Sequence, residues 1–592
     1  MKKTLLILMT LVIALNLAAC GGSTAPAESD AVQTEAASET TPAAAETVYT
    51  NAVIYTEDAE NALTEAMAVT NGRIVYVGDA AGAEAYIGEE TQVENMQGRM
   101  ITPNLIDAHS HPGIVATTAW YTDMPGDCDT KEEILAFVKD FCDTHPAEDY
   151  PYIYFEYYPS NLFDENGPRR EWIDEVVSDR AILIEDFSDH ACWVNTRFLE
   201  LIGAFDEGVI SEADKEFMTD SNGEYTGWIR EFVWQNYIGN LYEKTGFTPP
   251  DTVTEENLTP ILDDFKSWGV TAIMDACVID DAHVKTVSDM DKAGTLNMYY
   301  EFSYRMYDYS ELESAIAEVH RLNDAYGTDR VYVDTIKVFY DGTNELGDAA
   351  LVDGWITDES QKGFLLMDLD ETVNTLRRCN EEGIDVHFHM VGDLAFRQVC
   401  DAVETLIGEI GPLDIQVEMC HCEYINPQDY DRPQKLGIIV NWTPHWSAGY
   451  FGDASLKYMG QARYDDMYKF NPLIENGTIV TFGSDIYSMY EENRGNPYFG
   501  MQTAMTRIDP EGVYGEGVMR ESASSRLSLE DLLRGYTRNG AIQMRLDDRT
   551  GSLEVGKFAN FNVYEENLFA VAPEEMKDVL PASVYFEGSR LN

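Results

Sequence analysis

The sequence predicts a (β/α)8 barrel of the α/β class with a small composite β-sandwich attached, and three observations carry that expectation. The chain has 592 residues, more than one simple core accommodates. Short β-branched runs alternate with helix-like stretches through its middle, the pattern that closes into a parallel barrel. Strand-rich segments flank that middle at both ends.

The elements follow in order. Lys2 and Lys3 precede the uncharged apolar run from Thr4 to Leu17. That run is shorter than the roughly 20 residues a membrane-crossing helix needs, and reads as a secretory signal. It ends in Leu17-Ala18-Ala19-Cys20-Gly21, which resembles the lipobox of bacterial lipoproteins. The resemblance implies removal of residues 1–19, lipidation of Cys20, and an extracytoplasmic protein held at a bacterial membrane by its lipid alone. An ordinary secretory signal with an incidental cysteine is the alternative. Residues 20–47, mostly Ala, Thr, Ser, Glu and Pro, have little to bury and form a flexible tether.

From residue 48, VYTNAVIYT, AMAVTNGRIVYVGD and QVENMQGRMI alternate apolar and polar residues between Asn-Gly and Gly-Asp turn signals. Short antiparallel strands have that texture. It returns in GSLEVGKFANFNVYEEN and PASVYFEGSRL, so residues 48–100 and 545–592 are expected to build one sandwich. The barrel then occupies 101–544. Its strands are expected in MITPNLIDAHSH, GVTAIMDA, NMYYEFSYR, RVYVDTIKVFYDG, GIDVHFHMVGD, IQVEMCHCEYI, GIIVNWTPHW and GTIVTFGSDIY. Helical periodicity fills most gaps, as in DETVNTLRRCNEEG, AFRQVCDAVETLIGEIG and SLEDLLRGYTRNGAIQMR. Residues 113–255, rich in Trp and Tyr, do not fit the repeat and are expected to be an insertion after the first strand, capping the active face.

Composition bounds the function. Forty Lys and Arg oppose 105 Asp and Glu, a formal net charge of −65. Such a surface repels phosphate backbones and argues against a nucleic-acid partner. Eight cysteines remain after Cys20, without a small-domain disulfide spacing or a CxxC pair, so buried thiols are expected rather than a cysteine zinc site.

Of ten histidines, five fall at predicted strand ends: His109, His111, His389, His421 and His445. In a (β/α)8 barrel those ends converge on the catalytic face. His109 and His111 are two apart on a strand and point the same way, and an inward polar pair is costly unless something binds it. Neutral imidazoles suit zinc. Lys337 lies in the apolar strand DTIKVFYDG, either paired with a carboxylate such as Asp334 or Asp341, or carboxylated so that its carbamate oxygens bridge two cations. Asp485 ends TIVTFGSD, an oxygen ligand also placed to take a proton from activated water. His387 shares a face with His389, and residue pattern alone leaves either as the ligand. His145, His283 and His320 are expected at the surface.

ITPNLIDAHSH, IKVFYDGT, HFHMVGD, CHCEYI, TFGSD and GSLEVGKFANF together resemble the amidohydrolase superfamily, in the family 3 branch that includes N-substituted formamide deformylases. The resemblance spans about residues 48–592 and implies one or two divalent ions, usually zinc. His109 and His111 match its first ligand pair, Lys337 its bridging carboxylated lysine, His389 and His421 the second ion's ligands, and Asp485 the catalytic, metal-binding aspartate. The match favours His389 over His387, which then sits one layer deeper. SDHACWVNTRFLELIGA and GEYTGWIRE resemble family segments that imply His190, Asn195 and Glu231 at the substrate, with Trp446 beside them. The chain departs from the pattern at Asn104, where Gly is usual, in NWTPHW, which lacks a Gln before Pro444, and in SDIYS, which replaces a Trp-Pro. These changes put substrate identity in question, with Trp442 and Tyr487 expected to reshape the pocket.

The reaction so implied is hydrolysis of a non-peptide C–N bond in an N-acyl or N-formyl amine or a cyclic amide. Metal ions or His445 would polarise the carbonyl, and Asp485 would carry the proton from water to the departing nitrogen. The rivals are isomerisation or decarboxylation at the same site, or a non-catalytic substrate-binding lipoprotein. Aromatic residues of the insertion, Trp120, Trp193, Trp228 and Trp234, suit either an apolar substrate or a core. Oligomeric state has no signature in the sequence.

Overall fold

In the computed structural model the described residues are 42–592 without 59–61, 126, 127, 129, 165, 189, 212, 213, 232, 251 and 452; the side chains of 489, 490 and 492 are also outside the description. The signal segment, Cys20 and most of the tether lie outside the described residues. No helix among the described residues is long and apolar enough to cross a membrane.

Eight parallel strands form the barrel: β1 Leu105–Ser110, β2 Val270–Asp275, β3 Tyr299–Met306, β4 Val331–Phe339, β5 Asp385–Met390, β6 Val417–His421, β7 Ile439–Trp442 and β8 Val480–Phe482. They pair consecutively from β1 to β8, as the alternation of patterns predicts. The β8–β1 seam closes just beyond the strand end, where the Asp485 N–H donates to the His109 carbonyl at 2.8 Å and the Ser484 N–H to Asp107 at 3.0 Å. Gly483 makes that approach possible, because a Cβ there would lie 2.4 Å from the His109 oxygen.

Side-chain alternation explains the placement of the site. On β5, Val386, Phe388 and Met390 join the hydrophobic layer under the helices, while His387 and His389 take the opposite face. The helix Leu369–Glu382 shows how the outer layer is built. Asp368 accepts from the Glu371 N–H and Glu371 accepts from the Asp368 N–H, a reciprocal cap whose loss costs roughly 0.5–2 kcal/mol. Val373, Leu376 and Cys379 then recur at helical spacing on its buried face, and Gly383 ends it in the left-handed region at φ 70°.

The run MITPNLIDAHSH, predicted as one strand, divides at Asn104. Met100–Pro103 joins a six-stranded sheet that also takes Phe561–Tyr564 and Ser583–Phe586 from the far end of the chain. A four-stranded sheet containing Thr47–Thr50 packs against it through Tyr49, Met67, Phe561 and Tyr585. Two pairs in these sheets, Thr47–Thr50 with Gln92–Asn95 and Val53–Tyr55 with Met100–Pro103, are parallel rather than antiparallel. Asn104 donates from Nδ2 to Thr271 Oγ1 (2.9 Å) and to the Tyr585 carbonyl (2.8 Å), tying β2 of the barrel to the sandwich.

Between β1 and β2 a separate six-stranded sheet orders Phe217–Thr219, Tyr225–Arg230, Ala191–Val194, Ala181–Asp186, Tyr152–Tyr158 and Thr122–Asp123. Its aromatic residues are structural. Trp193 is fully buried with Trp172 and Phe163 on one side, and Trp234 and Trp120 pack with Tyr152 and Tyr154 on the other.

Candidate metal centre

The ends of β1, β4, β5, β6 and β8 bring residues from 109 to 485 into one buried cluster. Asp485 is at its middle, with Oδ1 3.0 Å from His111 Nε2 and 3.3 Å from His109 Nε2, and Oδ2 3.4 Å from His421 Nδ1. The Lys337 ammonium donates to His109 Nε2 at 3.1 Å. That places the His109 ring proton on Nδ1, which donates to His387 Nε2 at 2.8 Å; His387 Nδ1 lies 2.5 Å from Glu418 Oε2. His387 therefore orients His109 from behind, while Cys420, close to both, accepts from Lys337 and donates to the Phe388 carbonyl. The His389 ring stands 4.6 Å from that of His421.

Two left-handed residues aim these groups: His421 at φ 69° and Asp485 at φ 50°. Such backbone costs of order 1–3 kcal/mol at a non-glycine residue and persists where surrounding contacts impose it, commonly at functional sites.

The donor set fits a divalent cation. Among the described residues, buried His389 Nε2 and His421 Nδ1 have no hydrogen-bond partner, the latter only approaching Asp485 Oδ2 at 3.4 Å, a costly arrangement for imidazoles with nothing to bind. Burial, reinforced by the Lys337 ammonium, pushes His109 down to about 3, and burial also holds His389 and His421 well below the ordinary imidazole value. Burial acts to raise Asp485, but His109 and His421 beside it hold its carboxyl well below the usual range. Neutral imidazoles with free lone pairs around an ionised carboxylate are zinc-type ligands. His109, His111 and Asp485 also bring one ligand atom each within 4.8 Å of one another.

Lys337 is 1% exposed and meets His109 and Cys420 Sγ (3.4 Å) rather than a carboxylate. Neither suggested partner reaches it. Asp341 accepts the backbone N–H groups of Ala350, Val391 and Gly392, and Asp334, nearer the start of β4, neighbours Glu301 and Asp385.

The cluster lines a partly enclosed cleft that is open to solvent. Trp446 and Tyr487 belong to its wall: Trp446 stacks on His421 at 5.2 Å and Tyr487 packs edge-on to His111 at 6.0 Å. His190 reaches it from the inserted sheet, 5.6 Å ring to ring from His389, with Glu231 Oε2 at 2.8 Å from its Nδ1. Glu231 is behind His190 and is absent from the lining. Burial acts to lower His190, yet the Glu231 carboxylate raises it above its ordinary value.

Besides that of Glu231, four expectations are corrected. Asn195 does not face the cleft: it is fully buried and caps the helix Thr196–Ile202, accepting from the Phe198 and Ile182 N–H groups and donating to the Val177 and Arg180 carbonyls. His445 turns away from the cleft and lies 2.9 Å from the Ser484 carbonyl through Nε2, supporting the Asp485 loop instead of a substrate carbonyl. Trp442 stacks on Phe470 at 4.2 Å in the core. His283 is fully buried rather than at the surface, 3.2 Å from Asp275 Oδ2 and packed under Gly113, where a Cβ would lie 2.0 Å from its ring.

Sequence reasoning missed Arg305, Tyr307, Glu345 and Glu423 in the wall. Arg305 closes the predicted strand NMYYEFSYR, so its position at a strand end was the available signal. Glu345 and Glu423 follow β4 and β6 in loops, where no periodicity marks direction. Burial pushes both carboxyls up, Glu345 accepting from the Ser455 hydroxyl and Glu423 from Asn344.

The model of the family described as the amidohydrolase family matches residues 92–591. The chain is 27% identical over 449 residues to the exoenzymes regulatory protein AepA of Pectobacterium carotovorum subsp. carotovorum, covering 75% of this chain and 94% of that protein. It is 22% identical over 566 residues to the N-substituted formamide deformylase of Arthrobacter pascens, covering 91% and 96%. Among solved structures, an uncharacterised metal-dependent hydrolase of Pyrococcus horikoshii OT3 matches with TM-score 0.64 at 19% identity, over 90% of this chain and 99% of that one, which shows the shared fold.

Proposed function

The chain belongs to the amidohydrolase family and is a metal-dependent hydrolase, and from that premise we propose that it cleaves a non-peptide C–N bond in an N-formyl or N-acyl amine or a cyclic amide. The observation that carries the reading is the convergence of His109, His111 and His421 on Asp485, each within 3.4 Å, beside a buried Lys337 that has no carboxylate partner among the described residues. His109, His111 and Asp485 would hold one divalent ion, and His389 and His421 a second. Lys337, as the carbamate it forms with carbon dioxide, would give oxygen ligands to both. Zinc suits this donor set. The bound ions supply Lewis-acid activation of water and of the substrate carbonyl.

The chain's own groups do the rest. Asp485 takes the proton of the attacking water and hands it to the departing nitrogen. His190, held by Glu231 at its Nδ1, donates to the carbonyl oxygen as charge develops there. Trp446 and Tyr487 bound the acyl group and exclude water. We also propose that Cys20 carries the lipid and the tether holds this catalyst outside the membrane; wild type then incorporates labelled fatty acid and Cys20→Ala does not, and an unlabelled wild type or a labelled variant would refute the anchor.

Elemental analysis of the purified protein tests the site first. About two divalent ions per chain fit the bridged site; about one leaves hydrolysis standing but removes the bridging role of Lys337; none after metal is supplied overturns the reading. Product analysis on N-formyl and N-acyl amines then separates hydrolysis from isomerisation or decarboxylation.

A further inference from the structure

Arg305 lies on β3 in register with Lys337 on β4, so both side chains leave the ladder on the same face. It lines the cleft one strand away from the metal cluster. Its Nη1 donates to the Tyr307 hydroxyl at 3.1 Å, the guanidinium stands 5.1 Å from the Tyr307 ring centre, and Cys277 and Tyr487 are among its polar neighbours. No carboxylate is within ion-pair reach among the described residues, although the chain holds 105 Asp and Glu against 40 Lys and Arg. In so acidic a molecule, a cleft arginine left without an acid is a choice of position that composition disfavours.

The surroundings fit a planar anion. Tyr307 is stacked on Phe339 at 5.0 Å, and Phe339 on His389 at 5.5 Å, so an apolar strip joins Arg305 to the metal cluster. A guanidinium presents five N–H donors in a rigid fork, of which Tyr307 takes one; the rest match a carboxylate in two parallel hydrogen bonds. The apolar flank lowers the local dielectric and strengthens that pair. Elsewhere the wall carries Glu345, Glu423 and Glu491, none of which offers an anion a cationic partner. With Lys337 committed to the metal cluster, Arg305 is the remaining Lys or Arg side chain of the lining among the described residues.

We propose that Arg305 is a specificity-determining residue that clamps a substrate carboxylate, with Tyr307 fixing its fork, so that the enzyme takes acyl- or formyl-amines carrying an acid group close to the scissile C–N bond. This rests on the C–N hydrolase reading, and the test separates the two. The binding probe is 4-oxopentanoate, in which a methylene replaces the nitrogen of N-acetylglycine, with neutral 4-oxopentanamide beside it; neither can be cleaved at that bond. Both are titrated calorimetrically into the metal-loaded full chain, wild type, R305K and R305M, with metal content and Tm as checks on folding. Hydrolysis of N-acetylglycine, N-formylglycine and their amides is measured in parallel.

The acid is expected to bind wild type at least about tenfold more tightly than the amide, and R305M to lose about 100-fold on the acid and less than about threefold on the amide. R305K, which keeps charge without the fork, falls between, and it carries the test if R305M does not fold. Equal binding of acid and amide, a preference that survives in both variants, or no binding of the acid overturns the clamp. Arg305-dependent binding without cleavage of any of the amides upholds the clamp and overturns the hydrolase reading.

Discussion

Asp485→Asn isolates proton transfer from metal binding. The substitution preserves volume, and Asn tolerates the left-handed backbone at φ 50° as well as Asp does, so the seam with His109 is kept. It removes the carboxylate that meets His109, His111 and His421 at 3.0 to 3.4 Å. The donors His109, His111, Lys337, His389 and His421 remain, so the protein is expected to hold wild-type metal when metal is in modest excess. A positioned general base is worth about 10²–10⁴-fold, or roughly 3–5.5 kcal/mol of barrier. kcat on an N-formyl amine should therefore fall at least about 100-fold with metal per chain unchanged. The assay is kcat beside elemental analysis on the same preparation. Turnover within tenfold of wild type would refute Asp485 as the proton carrier; parallel loss of metal and turnover would refute the separation of its two roles.

Other consequences follow from the same geometry. Asn195→Ala should lower stability by about 2–3 kcal/mol, because four buried backbone groups lose their partner, while KM stays within about twofold; a raised KM at unchanged Tm would return Asn195 to the substrate. Gly483→Ala drives a Cβ to 2.4 Å from the His109 carbonyl and should open the β8–β1 seam, seen as reduced metal content and Tm together, whereas a wild-type metal content would show that the seam does not set the site. Asp275 accepts from Gly113 N–H and the Tyr300 hydroxyl; burial acts to raise it, but His283 beside it and then His111 hold its carboxyl below the ordinary value. A depressed folded-state value means stability that is present above the unfolded value of about 4 and is lost as pH falls through the lower folded value. The Tm gap between wild type and Asp275→Asn should accordingly shrink from pH 5 to pH 3; a gap independent of pH would remove the ionic part of the interaction.

Much of the architecture was legible because it is written in local periodicity. The strands of the barrel announce themselves as short β-branched runs, and alternation along each places His387 with His389, and Lys337 with Thr335, on one face before any coordinates are known. The strand-end histidines needed only the barrel's rule that such ends converge. His283 was also within reach, since it shares helical spacing with the buried Val287 and Met290 on Asp281–Ala293. Asn195 carried a readable cap signal too, a polar residue directly before the run Thr196–Ile202.

What the sequence by itself determined, then, is the set of elements, their order, and which residue types stand at the strand ends. The tertiary structure alone decided the split at Asn104, the turn of His445 toward Ser484, the placement of Glu231 behind His190, and the pairing of Arg305 with Tyr307 in place of an acid. The physical reason is the reach of the constraint. Within a strand or helix, backbone hydrogen bonding repeats and fixes side-chain direction from one residue to the next. Past the strand end that repeat stops, and φ and ψ are set by contacts with residues hundreds of positions away, as where Asp485 is held by the backbone of His109.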